Sequence, residues 1–295
     1  MPKTDWKTAY PYESHWSHCG DYRYHFVDEG QGEPLLMVHG NPTWSFYWRR
    51  LIDSFSSEFR CVAPDHLGCG LSDKPADYGY QLQTHIDNLV RLIDELDLRN
   101  VTLLGHDWGG AIGLGAAQAR PDRFKQFVLF NTGAFPPPYI PLRIRVCRFP
   151  VVGRYALQGL NLFSQAAVRM AVADQSKLSA TAREGLLAPY DSWEHRVAVY
   201  GFVKDIPASP KHPTWATLDR IEQQLASLAD RRVLLIWGMR DWCFTPECLR
   251  RFQQHFPSAE VLELEDAGHW VVEEASEKII QRLNEFLAGK SIEVV

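Results

Sequence analysis

The segment Val101-Thr102-Leu103-Leu104-Gly105-His106-Asp107-Trp108-Gly109 constrains this chain more than any other. An apolar run comes first, then a glycine-flanked bend, then the small-residue run Gly110 to Ala117. That order spells strand, sharp turn, helix. It is the layout of a nucleophile elbow, in which glycines flank a residue on a strained bend and its side chain is left exposed. The residue on the bend is Asp107, where serine is usual. A carboxylate that attacks an acyl carbon leaves a reactive anhydride. Against a saturated carbon bearing a leaving group it leaves an ordinary ester, which water can cleave at the carbonyl. The elbow therefore points toward displacement at an alkyl carbon or at a strained ring.

The rest of the chain repeats the rhythm. Residues 20–30, Leu35–Val38, Cys61–Pro64, Val101–Leu104, Phe127–Phe130, Val233–Trp237 and Val261–Leu264 read as strands. Trp44–Phe55, Thr84–Leu96, Pro246–Phe256 and Val272–Leu287 carry apolar residues at helical spacing. Strands alternating with helices predict a mostly parallel, buried sheet flanked by helices. The rhythm breaks after Asn131 and resumes at Val233. Residues 134–215 are rich in proline, arginine and aromatics and show helical segments without apolar strands. The expected plan is an α/β core formed by 1–133 and 216–295, with a helical cap of 134–215 inserted after the sixth strand.

Composition excludes several roles. A net charge of −5 with no basic cluster argues against nucleic acid as a partner. The six cysteines are scattered without a CxxC pair, which reads as reduced thiols in a cytoplasmic protein and no metal site. Met1–Lys7 lacks the apolar core of a secretory leader. No apolar run reaches the roughly 20 residues of a membrane span. Asp65-His66-Leu67-Gly68-Cys69-Gly70 lacks the lysine and glycine spacing of a phosphate loop, and no cofactor is expected. The arginine-rich stretch Arg143–Arg154 reads as a solvated helix in preference to a partner or membrane surface.

A carboxylate nucleophile needs a base, an acid to hold the base, donors for the leaving group, and a dry pocket. His269, between the last strand and the last helix, is the candidate base. Asp241, just past a strand, is the candidate acid. It would hold the imidazole tautomer and stabilise the imidazolium. Nucleophile, acid, histidine is the chain order of α/β-hydrolases. Asn41 and Trp108 are the candidate donors, through an amide and an indole N–H aimed at developing negative charge. His39 and His106 are expected to hydrogen-bond around the site, Asp65 to order its own loop, and Cys69 to be available to line the pocket.

His39-Gly40-Asn41-Pro42-Thr43-Trp44-Ser45, the loop Asp65 to Pro75 and His106-Asp107-Trp108-Gly109-Gly110 resemble the haloalkane dehalogenases of the α/β-hydrolase superfamily. The resemblance implies Asp107 as nucleophile, His269 as base, and Asn41 and Trp108 as halide donors. One dehalogenase branch carries its acid as glutamate after the sixth strand. Asn131 stands there in this chain, so the resemblance assigns the acid to Asp241, as in the other branches. The insertion resembles a further family, the β-lactone decarboxylases of bacterial long-chain olefin biosynthesis. The segments concerned are Ala188 to Arg196, Phe202 to Pro210, Asn131 to Pro136 and Arg240 to Phe244.

This second resemblance implies conversion of a cis-3,4-dialkyl-β-lactone to a cis-alkene and CO2. It also implies a hydrophobic substrate and assembly with a β-lactone synthetase and a reductase. Attack at the alkyl carbon–oxygen bond and attack at the carbonyl both stay open. Haloalkane dehalogenation through an alkyl-enzyme ester is the alternative. Epoxide hydrolysis ranks third: Tyr139, Tyr155, Tyr190 and Tyr200 could supply its acidic donors, but the Asn41 side chain would then have no necessary role. A catalytically silent scaffold would be expected to have lost a triad member, and all are present.

Overall fold

The structure is a computed structural model and describes residues 5–289. Met1–Thr4, on which part of the leader reading rests, lie outside them. Eight strands form one sheet: β1 (His15–Cys19), β2 (Tyr22–Glu29), β3 (Pro34–Val38), β4 (Arg60–Pro64), β5 (Val101–Asp107), β6 (Phe124–Thr132), β7 (Arg232–Gly238) and β8 (Glu260–Leu264). Their order is β1-β2-β4-β3-β5-β6-β7-β8. β2 runs antiparallel to β1 and β4, and every other pairing is parallel. The sequence reading lacked β1. Its pattern, His-Trp-Ser-His-Cys, buries only alternate residues and offers no apolar run to recognise.

Successive side chains of a strand point to opposite faces, and β5 shows the consequence. Leu103 joins a core cluster with α2 (Leu82–Glu95), α3 (Trp108–Ala119), α9 (Pro213–Gln223) and α10 (Pro246–His255). Leu104 joins the cluster on the other face, with α1 (Arg49–Phe55) and α12 (Ser276–Leu287). The central strands are buried throughout, which is why they read as continuous apolar runs.

Between β6 and β7 lie the cap helices α4 (Leu142–Cys147), α5 (Pro150–Gly153), a π-turn (Arg154–Gly159), α6 (Leu162–Met170), α7 (Ala180–Leu187) and α8 (Val197–Asp205). The boundary expected at 215/216 falls inside α9. That helix opens with Pro213 in its first turn and the His212 ring accepting from Thr214 N–H, then packs on α2 and α3. The pattern read as one closing helix is two, α11 (Val271–Glu274) and α12, broken at Ala275. Buried Glu273 and Glu274 hold α11 in place: Glu273 pairs with Arg49, and Glu274 accepts from the N–H groups of Gly268, Ala173 and Asp174. Among the described residues no helix is long and apolar enough to cross a membrane.

Candidate active site

Asp107 ends β5 with φ 53° and ψ −128°, a backbone state that costs about 1–3 kcal/mol for a side chain with a Cβ. Close packing holds it there. A Cβ on Gly109 would lie 2.0 Å from the Val38 carbonyl, and one on Gly110 would lie 2.1 Å from Thr132 Oγ1. Only bare backbone lets α3 begin this close to β3 and β6. The Thr132 hydroxyl donates to the Asp107 carbonyl. A Cβ on Gly40 would sit 2.0 Å from Asp107 Oδ1, so that glycine makes room for the carboxylate itself.

The Asn41 backbone N–H donates to Asp107 Oδ1 at 2.8 Å. Its other oxygen, Oδ2, faces His269 Nε2 at 3.6 Å. The opposite ring nitrogen, Nδ1, donates to Asp241 Oδ2 at 2.8 Å. Asp241 also accepts from the Cys243 N–H on Oδ1 at 2.6 Å and from Asn131 Nδ2 on Oδ2 at 3.0 Å. The structure thus brings Asp107, His269 and Asp241, predicted far apart in sequence, into one line.

The electrostatics follow. Burial pushes the Asp107 carboxyl up, but the adjacent His269 charge and the hydrogen bond from the Asn41 N–H outweigh it and hold the group below its ordinary value. Burial pulls the His269 imidazole down, but the Asp241 charge and hydrogen bond, with the nearby Asp107 charge, overcome it, up to about 10. The resting arrangement is an ionised carboxylate beside an imidazolium. Esterifying Asp107 would remove one of the two stabilising charges, and His269 would then lose its proton more readily.

Asn41 Nδ2 donates at 3.3 Å to the Val199 carbonyl of α8, and its buried Oδ1 has no partner among the described residues. The amide is therefore tethered to the cap. The Trp108 ring, partly buried beside Phe202, lines the same cavity. His39 bonds the Gly40 carbonyl through Nδ1 and accepts from the His66 N–H through Nε2, its pKa lowered by burial. His106 bonds the His269 carbonyl, and burial lowers its pKa to about 3. Both are neutral and both fix loops around the site. Asp65 accepts from the N–H groups of Ser45 and Leu71 and pairs with His25, so it ties its loop to the start of the α1 region.

Two expectations are corrected. Cys69 is buried in the core cluster under α2 and α3; the thiols that line the cavity are Cys147, Cys243 and Cys248. Of the four tyrosines, only Tyr139 lines the cavity. Tyr190 and Tyr200 donate to the Thr43 and Pro150 carbonyls, and Tyr155 is exposed. Among the described residues no tyrosine pair faces Asp107.

One residue was noted only for the acid it lacks. Asn131, at φ 26°, joins β6 to β7: Oδ1 accepts from the Gly238 N–H at 2.8 Å, and Nδ2 donates to the Gly238 carbonyl and to Asp241. Its signal in the sequence was an asparagine at a strand end, a residue that tolerates positive φ.

The cavity over these groups has a volume of about 690 Å³ and a mostly apolar wall that includes Ile144, Leu157, Phe163, Val203 and Phe244. Among the described residues no group of three or more His, Cys, Asp or Glu is arranged to hold a metal ion.

The family described as alpha/beta hydrolase fold matches residues 33–276. The chain is 40% identical to a cis-3-alkyl-4-alkyloxetan-2-one decarboxylase of Shewanella oneidensis, over 95% of its own length and 90% of the relative's. It is 36% identical to haloalkane dehalogenase 2 of Mycobacterium bovis, over 92% of its length and 93% of the relative's. A solved structure, the haloalkane dehalogenase DatA from Agrobacterium tumefaciens C58, matches with a TM-score of 0.85 at 26% identity, covering 94% of this chain and 96% of that one.

Proposed function

The chain belongs to the alpha/beta hydrolase fold family, and from that membership we propose that it is a decarboxylase of cis-3-alkyl-4-alkyl-β-lactones, releasing a cis-alkene and CO2. The observation that carries the reading is an ionised Asp107 facing an apolar cavity of about 690 Å³, in a chain 40% identical to a decarboxylase of this name.

Asp107 Oδ2 is the attacking atom, because Oδ1 is held by the Asn41 N–H. Attack on the ring carbon next to the lactone oxygen forms an ester and opens the four-membered ring, leaving a carboxylate on the neighbouring carbon. Loss of CO2 from that carboxylate supplies the electron pair of the alkene and expels Asp107 as carboxylate. Inversion followed by anti elimination keeps the alkyl groups cis. The steps balance without water, and ring strain helps drive the first. Attack at the carbonyl would instead create an anhydride, so the alkyl route is preferred. Asn41, Trp108 and the His269 imidazolium stabilise the carboxylate that is released. Asp241 holds the imidazolium, and Asn131 holds Asp241.

No cofactor enters this scheme. In the same reading the cap is the set of helices between β6 and α9, and the core is the sheet with the helices that pack on it, α9 included. The enzyme works in the cytoplasm beside a β-lactone synthetase and a reductase; six unpaired cysteines support that compartment. Haloalkane dehalogenation is the second reading, favoured by the Asn41 and Trp108 donors and by the dehalogenase relative. There His269 would activate water against the ester.

The test is incubation with a cis-3,4-dialkyl-β-lactone and, separately, with a long 1-haloalkane. Alkene detected by gas chromatography, with slow or absent halide release, is the expected result. Rapid halide release without alkene would overturn the reading.

A further inference from the structure

The cap carries an unusual charge pattern. Between Ala134 and Ala173 there are five arginines (143, 145, 148, 154 and 169) and no aspartate, glutamate or lysine, in a chain whose net charge is −5. None of the five pairs with a carboxylate among the described residues. Arg143 lies 4.2 Å over the Trp242 ring and Arg154 lies 5.6 Å from the Trp193 ring centroid.

The same stretch concentrates exposed apolar surface. Tyr139, Leu142, Phe149, Val151, Tyr155 and Leu160 are each 62–70% exposed. Outside residues 134–173, Trp16 is the one large hydrophobic side chain found exposed among the described residues. α4, α5, the π-turn and α6 pack on one another, so these side chains share one subdomain. Part of this exposed surface also lines the cavity over Asp107, whose wall includes Tyr139, Arg143, Val146, Leu162 and Met170. On the core side of the mouth stands Glu247, with Arg250 3.9 Å away.

Isolated exposed hydrophobics need no explanation, but a cluster of them in one subdomain, interleaved with arginines, does. Aromatic and aliphatic side chains interleaved with arginine, on short helices lying along a surface, are what an anionic lipid interface accepts. The apolar groups enter the acyl boundary while guanidinium groups stay at the phosphates. A folded acidic protein would meet the charges but would have to match this irregular relief of short turns. A bilayer conforms to it.

We propose that this face of the cap docks on the surface of an anionic phospholipid bilayer, with the cavity mouth opening toward the lipid. The stretch Arg143–Arg154, expected from sequence to be solvated, is then the centre of the contact. Docking does not rest on the lactone reading. Its use, capture of a long-chain substrate dissolved in the bilayer, does.

The experiment is co-sedimentation of the full chain with vesicles of phosphatidylcholine alone and of phosphatidylcholine containing phosphatidylglycerol. The protein should pellet with the second kind and be released by high salt. Arg145→Gln with Arg169→Gln should weaken partition about fivefold per arginine, and Phe149→Ser should weaken it too. None of these positions lines the cavity. Thermal unfolding and turnover of a water-dispersed short-chain substrate should be unchanged in each variant, which separates lost docking from lost fold. Equal recovery on neutral and anionic vesicles overturns the proposal, as does no recovery on either at low salt. So does wild-type self-association that the double variant abolishes, which would make the face a protein interface. Partition is read without substrate, so its failure and that of the lactone reading are separate results.

Discussion

The two walls of the cavity are built by different physics. On the core wall each candidate catalytic side chain is fixed by directed bonds. Asp107 is gripped by the Asn41 N–H and by the packing of Gly40, Gly109 and Gly110, while His269 is gripped by Asp241 and Asp241 by Asn131 and Cys243. On the wall formed by the first half of the cap there are short helices, alanines and aliphatic side chains. The second half of the cap sides with the core. Trp44 donates to the Gly185 carbonyl, Asn41 to Val199, and Arg196 spreads its guanidinium over the carbonyls of Tyr190, Gln158, Gly159 and Asp191. Directed bonds hold chemistry in place; apolar packing holds volume. Changes on the first wall should therefore cost rate, and changes on the second should cost selectivity.

The sharpest break comes at the nucleophile. Asp107→Ala should reduce kcat more than about 1,000-fold with the fold retained, as read by circular dichroism and product analysis. Residual turnover near wild type would remove Asp107 from the mechanism.

Asp241→Asn should lower kcat by about 100-fold or more, because the imidazole loses both its orientation and its counter-charge. The same variant tests the electrostatics. A histidine whose folded pKa is raised stabilises the fold fully below its unfolded value of about 6.5, and that contribution is lost as pH rises through about 10. Wild type should therefore lose stability across that window, and Asp241→Asn should lose less. Parallel melting curves against pH would contradict the assignment.

Removing Asn131 acts one step further out. Asn131→Ala strips a donor from Asp241 and leaves the Gly238 N–H unpaired. A loss of about 1–3 kcal/mol of stability is expected, together with a kcat reduction of about tenfold and a shifted pH profile. A stability loss with unaltered kcat and profile would make its role purely structural.

On the cap wall, Ala167→Leu narrows the cavity. It should raise KM for long-chain substrates about tenfold and leave kcat on short ones nearly unchanged. A collapse of kcat on all substrates would erase the distinction between the walls.

The smallest effect concerns the contact between α8 and the start of α2, where Asp205 accepts from Leu82 N–H and Thr214. Burial raises its carboxyl to about 6. Its protonated form is favoured in the fold, so its contribution is present below the unfolded value of about 3.8 and is lost as pH rises through about 6. Asp205→Asn should flatten that part of the stability profile, measured by thermal melts between those pH values.

Much of the core wall was legible in the chain. The elbow is local, since strand, glycines and small-residue helix are contiguous, and their sterics leave few alternatives. The buried strands announced themselves because both faces are covered, so they carry runs of consecutive apolar residues. The order of Asp107, Asp241 and His269 carried the triad for a similar reason: parallel strands deliver their following loops to one edge of the sheet. β1 stayed hidden because an edge strand buries only alternate residues, and the break at Ala275 because it depends on what Glu273 and Glu274 meet elsewhere.

By itself, then, the sequence determined the alternating α/β plan, the carboxylate at the elbow and the break between β6 and β7, all of which follow from short-range periodicity and backbone sterics. Tertiary structure alone decided that Asn131 braces Asp241, that Asn41 is tied to the Val199 carbonyl, that Cys69 lies in the core while Cys147, Cys243 and Cys248 line the cavity, and that the five arginines between Ala134 and Ala173 meet no carboxylate among the described residues. Those outcomes depend on which distant surfaces meet. Partners separated by more than a hundred residues, such as Asn131 and Asp241 or Asn41 and Val199, leave no periodic trace in the chain.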